Sequence, residues 1–212
     1  MLWCKRKTSK KIRKSRFDHL LNVANQLPLS GLPDLLRAIA RPTQSDFILG
    51  VAEEGTNARS GLDERWFFFK DIYKLLYVHE MHKIEMNNHD YPLSLATDII
   101  LPWPWNLNSY INTLSIIGTE KGKPWKQDNN HRVTVWLPWK ICFVETGNHS
   151  ITSGILAGEG TIIPEHVYDM SYLFSMVRTD GVYWYIDDKK NELVRSYRHA
   201  AFFEIGRFLN KL

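Results

Sequence analysis

The residue run with the clearest chemical potential is Gly147-Asn148-His149-Ser150, preceded by the apolar stretch Ile141-Cys142-Phe143-Val144. The apolar stretch reads as a buried strand. Ser150–Ala157 reads as a short helix ended by Gly158 and Gly160. A strand, a glycine turn and a helix in succession leave free backbone N–H groups at the helix start, where the peptide dipoles also favour negative charge. Gly147 lets an anion approach the backbone closely, and His149 and Ser150 add side-chain donors. Phosphate is the natural guest for such a turn. Glu145, just before it, can act as a general base or take a metal through its carboxylate; it can equally cap the turn or pair with a cation. Glu159, between Gly158 and Gly160, has the same two readings.

Other clusters are weaker. His79, Glu80 and His82 miss the helical zinc-protease spacing, which needs histidines four apart around the glutamate. His79 falls on a core-facing stripe, and no metal site is assigned, His89 and Asp90 being at most distant further ligands. His131-Arg132 follows the polar run Asp128-Asn129-Asn130 and reads as a lid or a plain turn. Trp103, Trp105, Trp125, Trp136 and Trp139 can stack bases or form a core; Trp136 favours the core, while Trp103 and Trp105, alternating with prolines, suit an exposed platform. Cys142 lies mid-strand among apolar residues and is read as core. Walker-type loops, dinucleotide fingerprints and nucleophile elbows are absent from the sequence.

The stretch around Gly147 resembles the phosphate-binding box of the ParB/sulfiredoxin-like superfamily, in which a strand leads into a glycine-x-histidine or glycine-x-arginine turn and a short helix. The similarity covers roughly residues 98–178. It includes the Pro-rich segment Leu101-Pro102-Trp103-Pro104-Trp105-Asn106 and the helix Tyr110–Ile117. The resemblance implies a nucleotide- or phosphate-binding protein, with NTP hydrolysis, phosphotransfer or nuclease action as its possible chemistries and Mg²⁺ as companion to a nucleotide. Gly147, Asn148, His149 and Ser150 would hold phosphate, Glu145 and His149 would be catalytic, and Arg132 would add charge. Where that family usually carries arginine after the histidine, this chain has Ser150, and a hydroxyl replaces neither the charge nor the fork of a guanidinium. Arg132, Lys140 or the N-terminal arm are the candidate sources of the missing charge.

The elements that must position these residues follow from periodicity and turn chemistry. Residues 1–16 form a basic arm and 17–97 a helical region. In the latter, a short helix from Phe17 ends at Pro28, another at Asp34–Ile39 stops before Pro42, and residues 50–61 form a loop. The strongest helical pattern runs from Asp63 to Met86, with Phe68, Phe69, Ile72, Leu75, Leu76 and His79 on one face. Residues 98–212 form a mixed α/β core. It comprises a strand at Asp98–Leu101, a helix capped by Asn106 or Asn108, strands at Val133–Leu137 and Lys140–Glu145, and a strand at Thr161–Val167. A hairpin turning over Asp187–Asn191 and a closing helix from about Glu192 complete it. The fold class expected is α/β in the broad α+β sense: a small mixed sheet covered by helices, with an N-terminal helical cap and a C-terminal helix, compact enough to be one domain.

The formal charge of +4 conceals an uneven distribution. Lys5, Arg6, Lys7, Lys10, Lys11, Arg13, Lys14 and Arg16 give residues 1–16 a charge of +8 with no acid, leaving 19 basic and 23 acidic groups, or −4, on the rest. Such an arm can sit on nucleic acid or anionic lipid, or simply be solvated. This supports an alternative function: a non-catalytic nucleic-acid- or protein-binding module, of a kind also met in phage–bacterium conflict as defence or anti-defence factors. Ten Phe, nine Tyr and eight Trp exclude a disordered chain, and no apolar run reaches the roughly 20 residues that span a bilayer. Two cysteines exclude a disulfide framework and fit a reducing, cytoplasmic setting.

Overall fold

The computed structural model describes residues 2–56, 67–70, 72, 75 and 84–210, with backbone only for 2–8. Helix α1 (Leu2–Gln26) is continuous, so the basic arm is not a separate tail but the first half of a helix. Its Lys, Arg and Leu residues are good helix formers, and no Pro or Gly interrupts it before Pro28. Helix α2 (Leu32–Glu54) runs through Pro42 and Gly50, where a helix stop and a loop were expected. Leu36, Ile39, Ala40, Phe47, Ile48 and Val51 keep one buried stripe across the proline. That burial offsets the hydrogen bond that Pro42 cannot donate. Gly55, at φ 84°, ends the helix.

The helix expected over Asp63–Met86 falls largely outside the described residues, including Leu76, His79, Glu80 and His82. Of the rest, Phe67–Lys70 is bend and turn, and Ile72 and Leu75 are helical. Ile84–Met86 is extended, because the Met86 N–H donates to the Val167 carbonyl and the Asp169 N–H to the Ile84 carbonyl, each at 2.8 Å.

The remaining strands are β1 (Leu93–Ser94), β2 (Ile99–Leu101), β3 (Val133–Leu137), β4 (Ile141–Val144), β5 (Thr161–Ile162), β6 (His166–Asp169), β7 (Val177–Thr179), β8 (Tyr183–Ile186) and β9 (Lys189–Leu193). Helices α3 (Leu107–Ile116), α4 (Asn148–Ala157), α5 (Leu173–Met176) and α6 (Tyr197–Leu209) complete an α+β fold. The strands form three sheets rather than one: β2-β4-β3-β6, β1-β5 and β7-β8-β9. In the largest, β3 and β4 are antiparallel while β2 joins β4 and β6 joins β3 in parallel. The strand expected over Thr161–Val167 is two, β5 pairing with β1 and β6 with β3, with Pro164, which has no N–H to give a ladder, between them. The hairpin turns on Asp187 and Asp188 alone, at φ 46° and 59°, so Lys189–Asn191 belong to β9. The closing helix accordingly starts at Tyr197, capped by Ser196.

The chain divides into two compact units that are each discontinuous in sequence: residues 1–40, 65–79 and 170–212, and residues 41–64 and 80–169. The first joins α1 to α6 and β7–β9 around Phe67, Phe68, Phe69, Trp184, Phe202 and Phe203, all buried. Rings stack edge-on here, Trp184 lying 5.3 Å from Phe203 and Phe68 5.1 Å from Phe203. The second unit buries Ile100, Val133, Val135, Cys142, Ile151 and Val167 about the four-stranded sheet. Among the described residues, no helix is long and apolar enough to cross a membrane.

Candidate functional site

The phosphate turn proposed from the sequence is present in outline. Strand β4 ends at Val144, Gly147 stands at φ 80° and α4 starts at Asn148. The surroundings spend its side chains on structure. Asn148 Oδ1 accepts the Trp103 N–H at 2.6 Å, and His149 Nε2 accepts the Asn106 N–H at 3.1 Å. Together they hold the Pro102–Asn106 segment, whose Asn106 in turn caps α3 by accepting from the Ser109 N–H at 2.9 Å. Burial pushes the His149 imidazole below its usual range. The Asn106 N–H can be accepted only while Nε2 is unprotonated, so His149 is neutral here. Trp105, 49% exposed, meets His149 edge-on with centroids 5.8 Å apart.

The other residues around this turn form a closed set. Glu145 is exposed and accepts from Thr134 Oγ1 at 2.5 Å. Arg132 Nε donates to Glu165 at 2.6 Å, and its Nη2 lies 3.8 Å from Glu145. One guanidinium thus stands between two carboxylates, a balance that opposes a further anion. Lys140, at φ 51°, pairs with Asp98 at 3.3 Å. A side chain at Gly147 would come within 2.5 Å of the His131 ring, so the loop 128–131 is packed against the turn and reads as a turn rather than a lid. His131 is buried, accepts the Asp128 N–H at Nδ1 and leans on Trp125. Glu159 accepts from Thr119 and from the Trp125 N–H, and those bonds hold its carboxyl below the usual range. Cys142 is fully buried, as are Trp136 and Trp139. No group of three His, Cys, Asp or Glu is gathered for a metal among the described residues.

A second site lies on the first unit. Lys10, Lys11, Arg13 and Arg16 are exposed on α1 and Lys14 is half-buried; the side chains of Lys5, Arg6 and Lys7 lie outside the description. Lys10 Nζ donates to Tyr183 Oη at 2.9 Å, while Lys190 Nζ sits 3.3 Å from the centroid of the same ring. The hydrogen bonds from Lys10 and then Lys190 lower the Tyr183 phenol below its ordinary pKa. Arg16 and Arg198 flank Tyr197 in the same way, 5.7 and 5.8 Å from its centroid. Lys14 instead pairs with Asp18, and Arg178 with Asp188. Lys10, Arg13, Arg16, Lys190 and Arg198 have no carboxylate within ion-pair distance among the described residues. Lys190, Tyr183, Tyr197 and Arg198 were not singled out by the sequence; the Tyr183-Trp184-Tyr185 run beside Lys189-Lys190 was the available signal.

The sequence matches the family of unknown function DUF6710 over residues 3–212. The chain belongs to DUF6710. The match takes in both α1 with its cations and the Lys190 hairpin, so in this DUF6710 member the two form parts of one family unit. No curated protein and no solved structure gives a significant match to it.

Proposed function

We propose that the protein binds the phosphate backbone of nucleic acid through α1 and the β8–β9 hairpin, without a bond-making step. The carrying observation is the meeting of Lys10 and Lys190 on one phenol, from opposite ends of the chain, with no carboxylate partner for either among the described residues. Two ammonium groups held this close repel each other, and a bridging phosphate would relieve that repulsion while releasing counterions from the nucleic acid. Arg13 lies beside Lys10 in the cleft that Gly181 and Val182 help to line, extending the cationic track. The nucleic-acid partner is consistent with a cytoplasmic setting.

This reading departs from a nucleotide site at Gly147–Ser150. There the α4 amides favour an anion, but Asn148 and His149 are engaged with Trp103 and Asn106, and Arg132 is balanced by Glu145 and Glu165. The test is fluorescence anisotropy of a labelled DNA duplex against the wild type and Lys10→Glu/Lys190→Glu. At least a tenfold loss of affinity in the double variant is expected, and none in Asn148→Ala. Equal affinity in the double variant would refute the assignment.

A further inference from the structure

Beside this face, a groove of about 450 Å³ lies between α1, α2 and the start of α6, within the first unit. Its floor is apolar, made by Leu20, Val23, Leu35 and Ile39. Val23 is 44% exposed, an apolar side chain left open to solvent on a helix that elsewhere buries Phe17 and Ala24. The rim is cationic: Arg16 and Arg198 stand at the groove with Tyr197, and His19 lines it beside them. Both guanidiniums converge on the Tyr197 ring, and neither has a carboxylate partner among the described residues.

We propose that this groove binds an amphipathic anion, its apolar chain along Leu20, Val23, Leu35 and Ile39 and its carboxylate or phosphate head between Arg16 and Arg198. The size falls in the range of about 300–1,000 Å³ typical of small-molecule clefts. The combination of floor and rim sets the class of ligand. An apolar floor gives affinity without orientation, whereas the planar donor forks of two arginines match the oxygens of a carboxylate or phosphate and reject a cationic head. The site is distinct from the Lys10–Lys190 pair, so each can fail alone.

The experiment is isothermal titration of the full chain, below micelle-forming concentrations, with decanoate, decanol and decyltrimethylammonium. These share a tail and differ in head charge. Decanoate is expected to bind at least about tenfold more tightly than decanol, the usual scale of a charge-assisted contact, and decyltrimethylammonium more weakly than either. Arg16→Gln/Arg198→Gln should bring decanoate down to the affinity of decanol, and Val23→Glu should weaken both. Lys10→Ala should leave decanoate binding unchanged. Co-sedimentation with phosphatidylglycerol vesicles then assigns the source: pelleting indicates a membrane lipid, and binding of decanoate without pelleting a soluble anion. No decanoate binding, or equal affinity for all three heads, would overturn the proposal. The three-head comparison needs no mutation, so it stands even if the double variant fails to fold.

Discussion

His149 shows how a residue of catalytic type can serve position instead. Its Nε2 accepts the Asn106 N–H, and that bond fixes the loop that caps α3. His149→Ala leaves a half-buried amide unpaired and should lower stability by about 1–2 kcal/mol in urea denaturation, with DNA affinity unchanged. His199 makes a different point. Its Nδ1 lies 3.0 Å from the Phe67 carbonyl, its ring stacks on Phe67 at 4.3 Å, and burial takes its pKa from 6.5 to about 4. The folded state therefore binds this proton less readily than the unfolded chain. Its contribution is full above pH 6.5 and falls away as the pH drops toward 4, by up to about 3 kcal/mol. Urea midpoints between pH 7 and pH 4 should show that fall, and His199→Gln should flatten it. The chemical type of His149 was legible in the sequence; its occupation by Asn106 was not, because the partner lies in a loop whose path depends on tertiary packing.

At the level of elements, one ring ties α1 to the turn before β8. Phe17 is buried against Gly181, and a side chain at Gly181, which stands at φ 80°, would run into that ring. Gly181→Ala combines a left-handed backbone with overpacking and should cost about 2–4 kcal/mol, read as a lower thermal midpoint with α1 displaced. Some elements were legible from the residues alone. Strands β3 and β4 are runs buried on both faces and apolar but for Thr134, and α3 announces itself through Asn106. The misread elements share a cause. Pro42 and Gly50 are local breakers overruled by the stripe from Leu36 to Val51, and Ile84–Met86 takes its shape from β6, distant in sequence.

At the scale of the whole molecule, the first unit gathers cations from both ends of a chain whose remaining surface charge is mildly acidic. The cations of α1 were plain in composition. Their partners Lys190 and Arg198 were not, because only the packing of α1 against α6 and the hairpin brings them near. Such a track makes affinity a steep function of salt, since each phosphate neutralised releases counterions. The most direct measurement is the slope of log affinity against log salt for a DNA duplex, wild type beside Lys10→Ala/Lys190→Ala. A steep negative slope that becomes shallower by about two in the double variant is the expected result. A slope near zero, or one the double variant leaves unchanged, would contradict nucleic-acid binding at this face.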